Sequence, residues 1–128
     1  MHVREVILVA LGGAMGTTLR YIISVYTPMI FGRSNIFTGT LIVNILGCVL
    51  IGFIIQWMEV KQLMDTGLKV FILVGFIGGF TTYSTFSLEA LEIFRESVSN
   101  ALLYISLHLV LGIGGVWFGI IGSQWILK

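Results

Sequence analysis

The residues best suited to chemistry are five hydroxyls, Thr81, Thr82, Ser84, Thr85 and Ser87, interleaved with the rings of Tyr83 and Phe86 in the segment GFIGGFTTYSTFSLE (75–89). Hydroxyls at this density inside an apolar span can hydrogen-bond backbone groups that an interrupted helix leaves unpaired. Gly78 and Gly79, just upstream, weaken helical propensity, so the segment predicts a broken membrane helix. Irregular backbone survives in lipid only where protein buries it or where it lines a hydrated cavity. We read this stretch as part of a pathway.

Other candidates sit on stripes of small and polar residues, which in membranes mark helix contacts. Thr40, Asn44, Cys48 and Gly52 recur every fourth residue. An unpaired amide in hydrocarbon is costly, so Asn44 either hydrogen-bonds a neighbouring helix or lines a permeation path. Tyr104, His108 and Gly112 repeat the pattern, and His108 is either a satisfied interhelical histidine or a proton relay. Gly12 and Gly16 share a face with Arg20. The glycines serve close packing, while Arg20 snorkels, caps a helix, or attracts anions at a pore mouth. Glu89 follows the break as a local cap, a partner of Arg20, or a group in the pathway. Cys48 is the only cysteine, which excludes an intrachain disulfide and suits a small core residue.

These side chains need elements to carry them. Of the 128 residues 57% are hydrophobic and 10% charged, with a mean hydropathy of +1.04. A water-soluble domain cannot cover its surface with so few charges. The expected fold is an all-α membrane protein with four transmembrane helices, the third broken, forming one domain. A bilayer core of ~30 Å needs about 20 apolar residues in a helix. Spans are expected at about 6–27, 37–58, 68–94 and 101–127. The first should stop at Pro28, the only proline, before a loop through Gly32, Arg33, Ser34 and Asn35. Polar connections follow the second span, with Glu59, Lys61, Gln62, Asp65 and Lys69, and the third, with Glu92, Arg95, Glu96, Ser97, Ser99 and Asn100. The first span is too long for a signal h-region and is read as retained. A net charge of +1 without a basic cluster excludes nucleic acid as partner. Ser84, His108 and Glu89 lack the spacing of a catalytic triad, so no enzyme is expected.

With four spans both termini face one side. Arg4, Lys61, Lys69 and Lys128 then stand against Arg33 and Arg95, with Arg20 near that second side. Orientation follows a clear Lys/Arg excess, and this asymmetry is weak. Insertion both ways makes an antiparallel homodimer accessible, with two inverted copies about an axis in the membrane plane.

The motifs resemble those of the Fluc (CrcB) fluoride channels across essentially the whole chain. GFIGGFTTYSTFSLE is similar to that family's GFxGGxTTFSTFSxE, GTLIVNILG (39–47) to its GTLxxNxxG, and GGAMGTTLRY (12–21) to its GGxxGxxxRY. The resemblance implies a dual-topology antiparallel homodimer with two pores and a structural Na+ at the dimer centre. It also implies passive export of cytoplasmic fluoride across the cell membrane, here a bacterial inner membrane, which reduces fluoride toxicity. Position by position, Asn44 matches the pore asparagine, Phe86 a pore phenylalanine, and Tyr83 a second one to which it adds a hydroxyl. Ser84 and Thr85 match the hydroxyl pair beside the rings, and Thr40 a threonine at the pore end. Tyr104 and His108 fall on a polar track of the fourth span. Gly78 and Thr81 match the break whose carbonyls hold Na+. Arg20 and Glu89 match the family's first-span arginine and post-break glutamate.

Such a path suits fluoride, which is small and strongly hydrated and needs donors in place of its water shell. Asn44, Ser84, Thr85 and Tyr83 carry donors, and the Phe86 ring edge is electropositive. One alternative is a small multidrug-type cation/proton antiporter, which needs a membrane-embedded carboxylate that the span 6–27 lacks. Another is a non-transporting membrane subunit, for which the purified protein conducts nothing.

Overall fold

The computed structural model describes residues 2–32, 36, 38–63 and 65–128, and the described residues of the elements are helical throughout. Arg33, Ser34 and Asn35 of the expected first loop, and Phe37 at the expected start of the second span, lie outside them. The helices are α1 (Val3–Phe31), α2 (Gly39–Val60), α3 (66–80), α4 (Tyr83–Glu96) and α5 (Val98–Ile126). α3 and α4 are the two halves of one interrupted span, so four stretches are long and apolar enough to cross a membrane.

Side-chain caps start the helices after α1. The first free N–H groups need acceptors, and Thr38, Asp65, Thr82 and Ser97 supply them to Leu41, Leu68, Thr85 and Asn100. The expected loop over 92–100 contracts to Ser97, an extended residue between α4 and α5 whose own N–H also closes α4 onto the Ile93 carbonyl. The charges at 92–96 are solvated faces of the last α4 turns. α1 likewise does not stop at Pro28 but runs on to Phe31. Proline removes one backbone donor, which a membrane helix tolerates when neighbouring groups compensate. The Thr27 hydroxyl, buried at this point, donates to the Ile23 carbonyl at 2.7 Å.

Two close helix pairs build the core, α1 against α3 and α2 against α5, with α4 laid on α5. Glycine makes both pairs possible. A Cβ on Gly16 would overlap the Phe76 carbonyl oxygen and lie 2.8 Å from Phe80 N, and one on Gly119 would overlap the Val49 carbonyl oxygen. α3 starts as α-helix over Thr66–Lys69, widens into π-helical turns over Val70–Ile77 and returns to α over Gly78–Phe80. Along this half-span Gly75 and Gly79 both come against the Gly12–Gly13 stretch of α1. Outside the core the helices expose Leu11, Val74, Leu88, Val110, Ile113 and Phe118, which suits lipid as the solvent.

Candidate functional site: the interrupted third span

The helix breaks at Thr81 and Thr82, which are extended, so normal i to i−4 bonding stops there. Asn44 of α2 meets the break with both ends of its amide. Its Oδ1 accepts from Thr82 N at 2.8 Å, and its Nδ2 donates to the Thr82 carbonyl at 2.9 Å. The side chain thus imitates a backbone partner for a residue that has none in its own helix. One Nδ2 hydrogen is spent on this clamp and the other remains.

From α1, Arg20 Nε donates to the Gly79 carbonyl at 3.1 Å and Thr17 Oγ1 to the same oxygen at 3.3 Å. Thr81 Oγ1 donates to the Ile77 carbonyl, and Thr82 Oγ1 donates to Thr85 Oγ1 at 3.1 Å while it caps α4. Ser84 Oγ lies 3.4 Å from Thr82 Oγ1. Most hydroxyls of the stretch therefore secure the break itself.

The sequence-predicted residues collect in two hollows that meet at Thr82. One, of about 330 Å³, is lined by Asn44, Tyr83, Phe86, His108 and Thr81, with Cys48 beside them. The other, of about 320 Å³, is lined by Arg20, Thr40, Thr85 and Glu89, with Thr17 and Tyr21. Glu89 gathers the donors of the second side: Thr40 Oγ1 donates to its Oε1 at 2.6 Å and the buried Tyr104 hydroxyl to its Oε2 at 2.5 Å. Arg20 and Glu89 share this hollow, with Arg20 Nε directed to the break. Ser84 and Gly78 stand exposed apart from both hollows.

Rings form the wall between α4 and α5. Phe86 lies 5.7 Å from Tyr83, 5.8 Å from Tyr104 and 4.3 Å from His108, centroid to centroid. Tyr83 is 80% exposed in the single chain, so the far side of its ring has no partner within the chain. His108 Nδ1 lies 3.1 Å from the Tyr104 carbonyl.

Thr17 and Thr38 were not singled out from the sequence, and Thr82 was read only as one of the hydroxyls that bond the interrupted backbone. A threonine three residues before another hydroxyl, at the start of a new helical run, is an N-cap signal and marks Thr82. Nothing local marks Thr17.

Because Glu89 accepts two hydroxyl donors, Glu89→Gln replaces one acceptor oxygen with a donor. The loss of a hydrogen bond to a charged group is expected to lower stability by about 1.5–3 kcal/mol. The thermal midpoint in detergent should fall, whereas Glu92→Gln on the exposed face of α4 should leave it unmoved.

The fold defines a small multi-pass membrane protein with two hollows, one of them walled by rings, beside an interrupted helix. The chain belongs to the CrcB family, whose model, described as "CrcB-like protein, Camphor Resistance (CrcB)", matches residues 7–120. It is 39% identical to a protein of Dehalococcoides mccartyi (strain CBDB1) over 94% of this chain and 95% of that one. With a Clostridium perfringens (strain 13 / Type A) protein it shares 40% identity over 92% of this chain and 90% of the other. An Agrobacterium fabrum protein is 37% identical over 91% and 93%. Each of the three is named "Fluoride-specific ion channel FluC".

Proposed function

We propose that this chain is a fluoride-selective channel of the cell membrane, which lets cytoplasmic fluoride leave passively. The observation that carries the reading is the Asn44 clamp on Thr82. It fixes an interrupted helix so that Tyr83, Phe86 and Asn44, with one amide hydrogen to spare, border one hollow. A dehydrated anion there meets an amide hydrogen and electropositive ring edges, which offer a cation nothing comparable. Beyond Thr82, Glu89 lines the second hollow and accepts the Thr40 and Tyr104 hydroxyls. The chain then acts as a conduit and not as an enzyme.

Two copies are proposed to pack antiparallel in the bilayer. Support comes from the weak charge asymmetry and from the exposure of Gly78 and Tyr83 at the break, which a second chain would cover. A structural Na+ between the copies fits the donors present. The oxygens that support it belong to the backbone at the break. Thr82 N–H, which would otherwise close a turn onto the Gly78 carbonyl, goes to Asn44, and Thr85 N–H goes to Thr82 Oγ1 and not to the Thr81 carbonyl. The Gly78 and Thr81 carbonyls are therefore the oxygens that would hold Na+, a hard cation that prefers such ligands. When bound it would supply a fixed positive charge near the path.

The antiporter reading needs a carboxylate in the first span. The only acidic residue in α1 is Glu5, in its first turn. The deciding experiment is fluoride and chloride efflux from liposomes holding only this protein, with a potassium ionophore carrying the compensating current. Fast fluoride loss without chloride loss is expected, and Phe86→Ile should reduce it by about a hundredfold or more, since an aliphatic side chain has no ring edge. An absence of fluoride loss in liposomes where the protein is folded and dimeric would sink the channel reading.

A further inference from the structure

We propose that His108 Nε2 is a proton-binding site on the path, so that fluoride conductance rises as this imidazole takes up a proton. The inference rests on the fluoride reading above and concerns how that path is regulated.

The tautomer follows from geometry. Nδ1 lies 3.1 Å from the Tyr104 carbonyl, and a carbonyl can only accept. In the neutral ring the hydrogen is therefore on Nδ1, and Nε2 carries a bare lone pair. That atom is buried and has no hydrogen-bond partner among the described residues, although the ring borders the hollow shared with Asn44, Tyr83 and Phe86. Buried polar atoms are almost always paired, so an orphan acceptor beside a path calls for a donor that the protein does not provide.

The ring cannot readily turn this atom away. It is held at Nδ1 and packs against Phe86 at 4.3 Å and, edge-on, against Tyr104 at 4.5 Å. With a lone pair and no hydrogen at this position, the neutral imidazole offers fluoride, itself an acceptor, no donor. A proton on Nε2 reverses this, because the same atom becomes a cationic donor able to make a charge-assisted hydrogen bond to the anion. The other titratable groups near the ring are few. Cys48 lines the hollow from α2 and Tyr83 from α4, while α3 offers only Ile77 and the break Thr81 and Thr82. Tyr104 on α5 hands its hydroxyl to Glu89 on α4, whose two oxygens are occupied by Tyr104 and Thr40. Arg20 of α1 stands in the second hollow, beyond Thr82. Nothing among these groups reaches Nε2 as a donor.

Two measurements test the proposal. Fluoride efflux is followed from about pH 8 to about pH 5.5 at fixed membrane potential, with the loss from protein-free liposomes subtracted to remove HF leakage. The protein-dependent rate should rise about threefold or more across the imidazole range, and His108→Gln should be flat. A slope that His108→Gln retains would overturn the proposal. The second measurement keeps His108 native. The chain has two histidines, so His2→Gln leaves one imidazole to titrate by NMR in detergent. If protonation and fluoride binding favour each other, fluoride must raise the titration midpoint, by about half a pH unit, where gluconate does not. An unmoved midpoint overturns the proposal. Should no fluoride flow at any pH, the channel reading falls and the NMR titration still decides whether His108 senses the anion.

Discussion

Asn44→Leu is expected to destabilise the folded protein by about 2–6 kcal/mol and to abolish fluoride efflux. Leucine has the same branched outline and number of side-chain heavy atoms, so the lost hydrogen bonds are the main change. Asn44 satisfies both the N–H and the C=O of Thr82, at 2.8 and 2.9 Å. Each group left unpaired in a buried site costs about 1–3 kcal/mol. No water in the hydrocarbon region replaces the lost partner. Asn44→Asp separates the two roles. One carboxylate oxygen can still accept from Thr82 N, but the other faces the Thr82 carbonyl with no hydrogen between them. A negative charge also enters the hollow that an anion must cross. The aspartate variant should therefore keep more of its thermal stability than the leucine variant while conducting no fluoride. Size-exclusion profiles, thermal midpoints and efflux on the same preparations make the comparison. A leucine variant as stable as the parent would show that the clamp is dispensable.

Hydropathy located the four spans, and two glycines before a cluster of hydroxyls located the break, because both signals are local. The stripe through Asn44 also had a readable logic: a mid-span amide needs a partner, and the sequence left open whether that partner was a helix or an ion. In the structure it is Thr82, with one amide hydrogen to spare. The targets of other polar groups were not legible. Thr40 and Tyr104 were expected along the path, and their hydroxyls go first to Glu89, a pairing across helices far apart in sequence. The charges from Glu92 to Asn100 suggested a loop, yet helix ends exposed to water tolerate charge as well as loops do, and Ser97 alone makes the turn. Pro28 predicted a helix end by its missing donor, yet the helix runs on past it to Phe31. The π-helical turns at Val70–Ile77 lie in an aliphatic run whose composition is equally good for an α-helix. Their effect is visible only once α1 is in place.

That dependence of the break on α1 makes Gly16→Leu the most disruptive change expected outside the hollows. A Cβ at position 16 would overlap the Phe76 carbonyl oxygen and approach Phe80 N to 2.8 Å. Both are backbone atoms that cannot rotate aside, so α1 and α3 must separate. Overpacking of this kind costs about 3 kcal/mol or more where rigid atoms collide. The consequence also reaches the path. Arg20 and Thr17 belong to the same helix and hold the Gly79 carbonyl at 3.1 and 3.3 Å. A shift of about 1 Å would carry both beyond hydrogen-bonding range. The last turn of α3 would then lose its hold from α1 while Asn44 still grips Thr82. The matched control is Gly114→Leu, since a Cβ there meets nothing within 4 Å and the new side chain enters lipid. Gly114→Leu should change stability by no more than about 0.5 kcal/mol and retain efflux. Gly16→Ala, with one added carbon, should already lower the thermal midpoint and slow efflux. If Gly16→Leu and Gly114→Leu behaved alike, close contact between α1 and α3 would not be what positions the break.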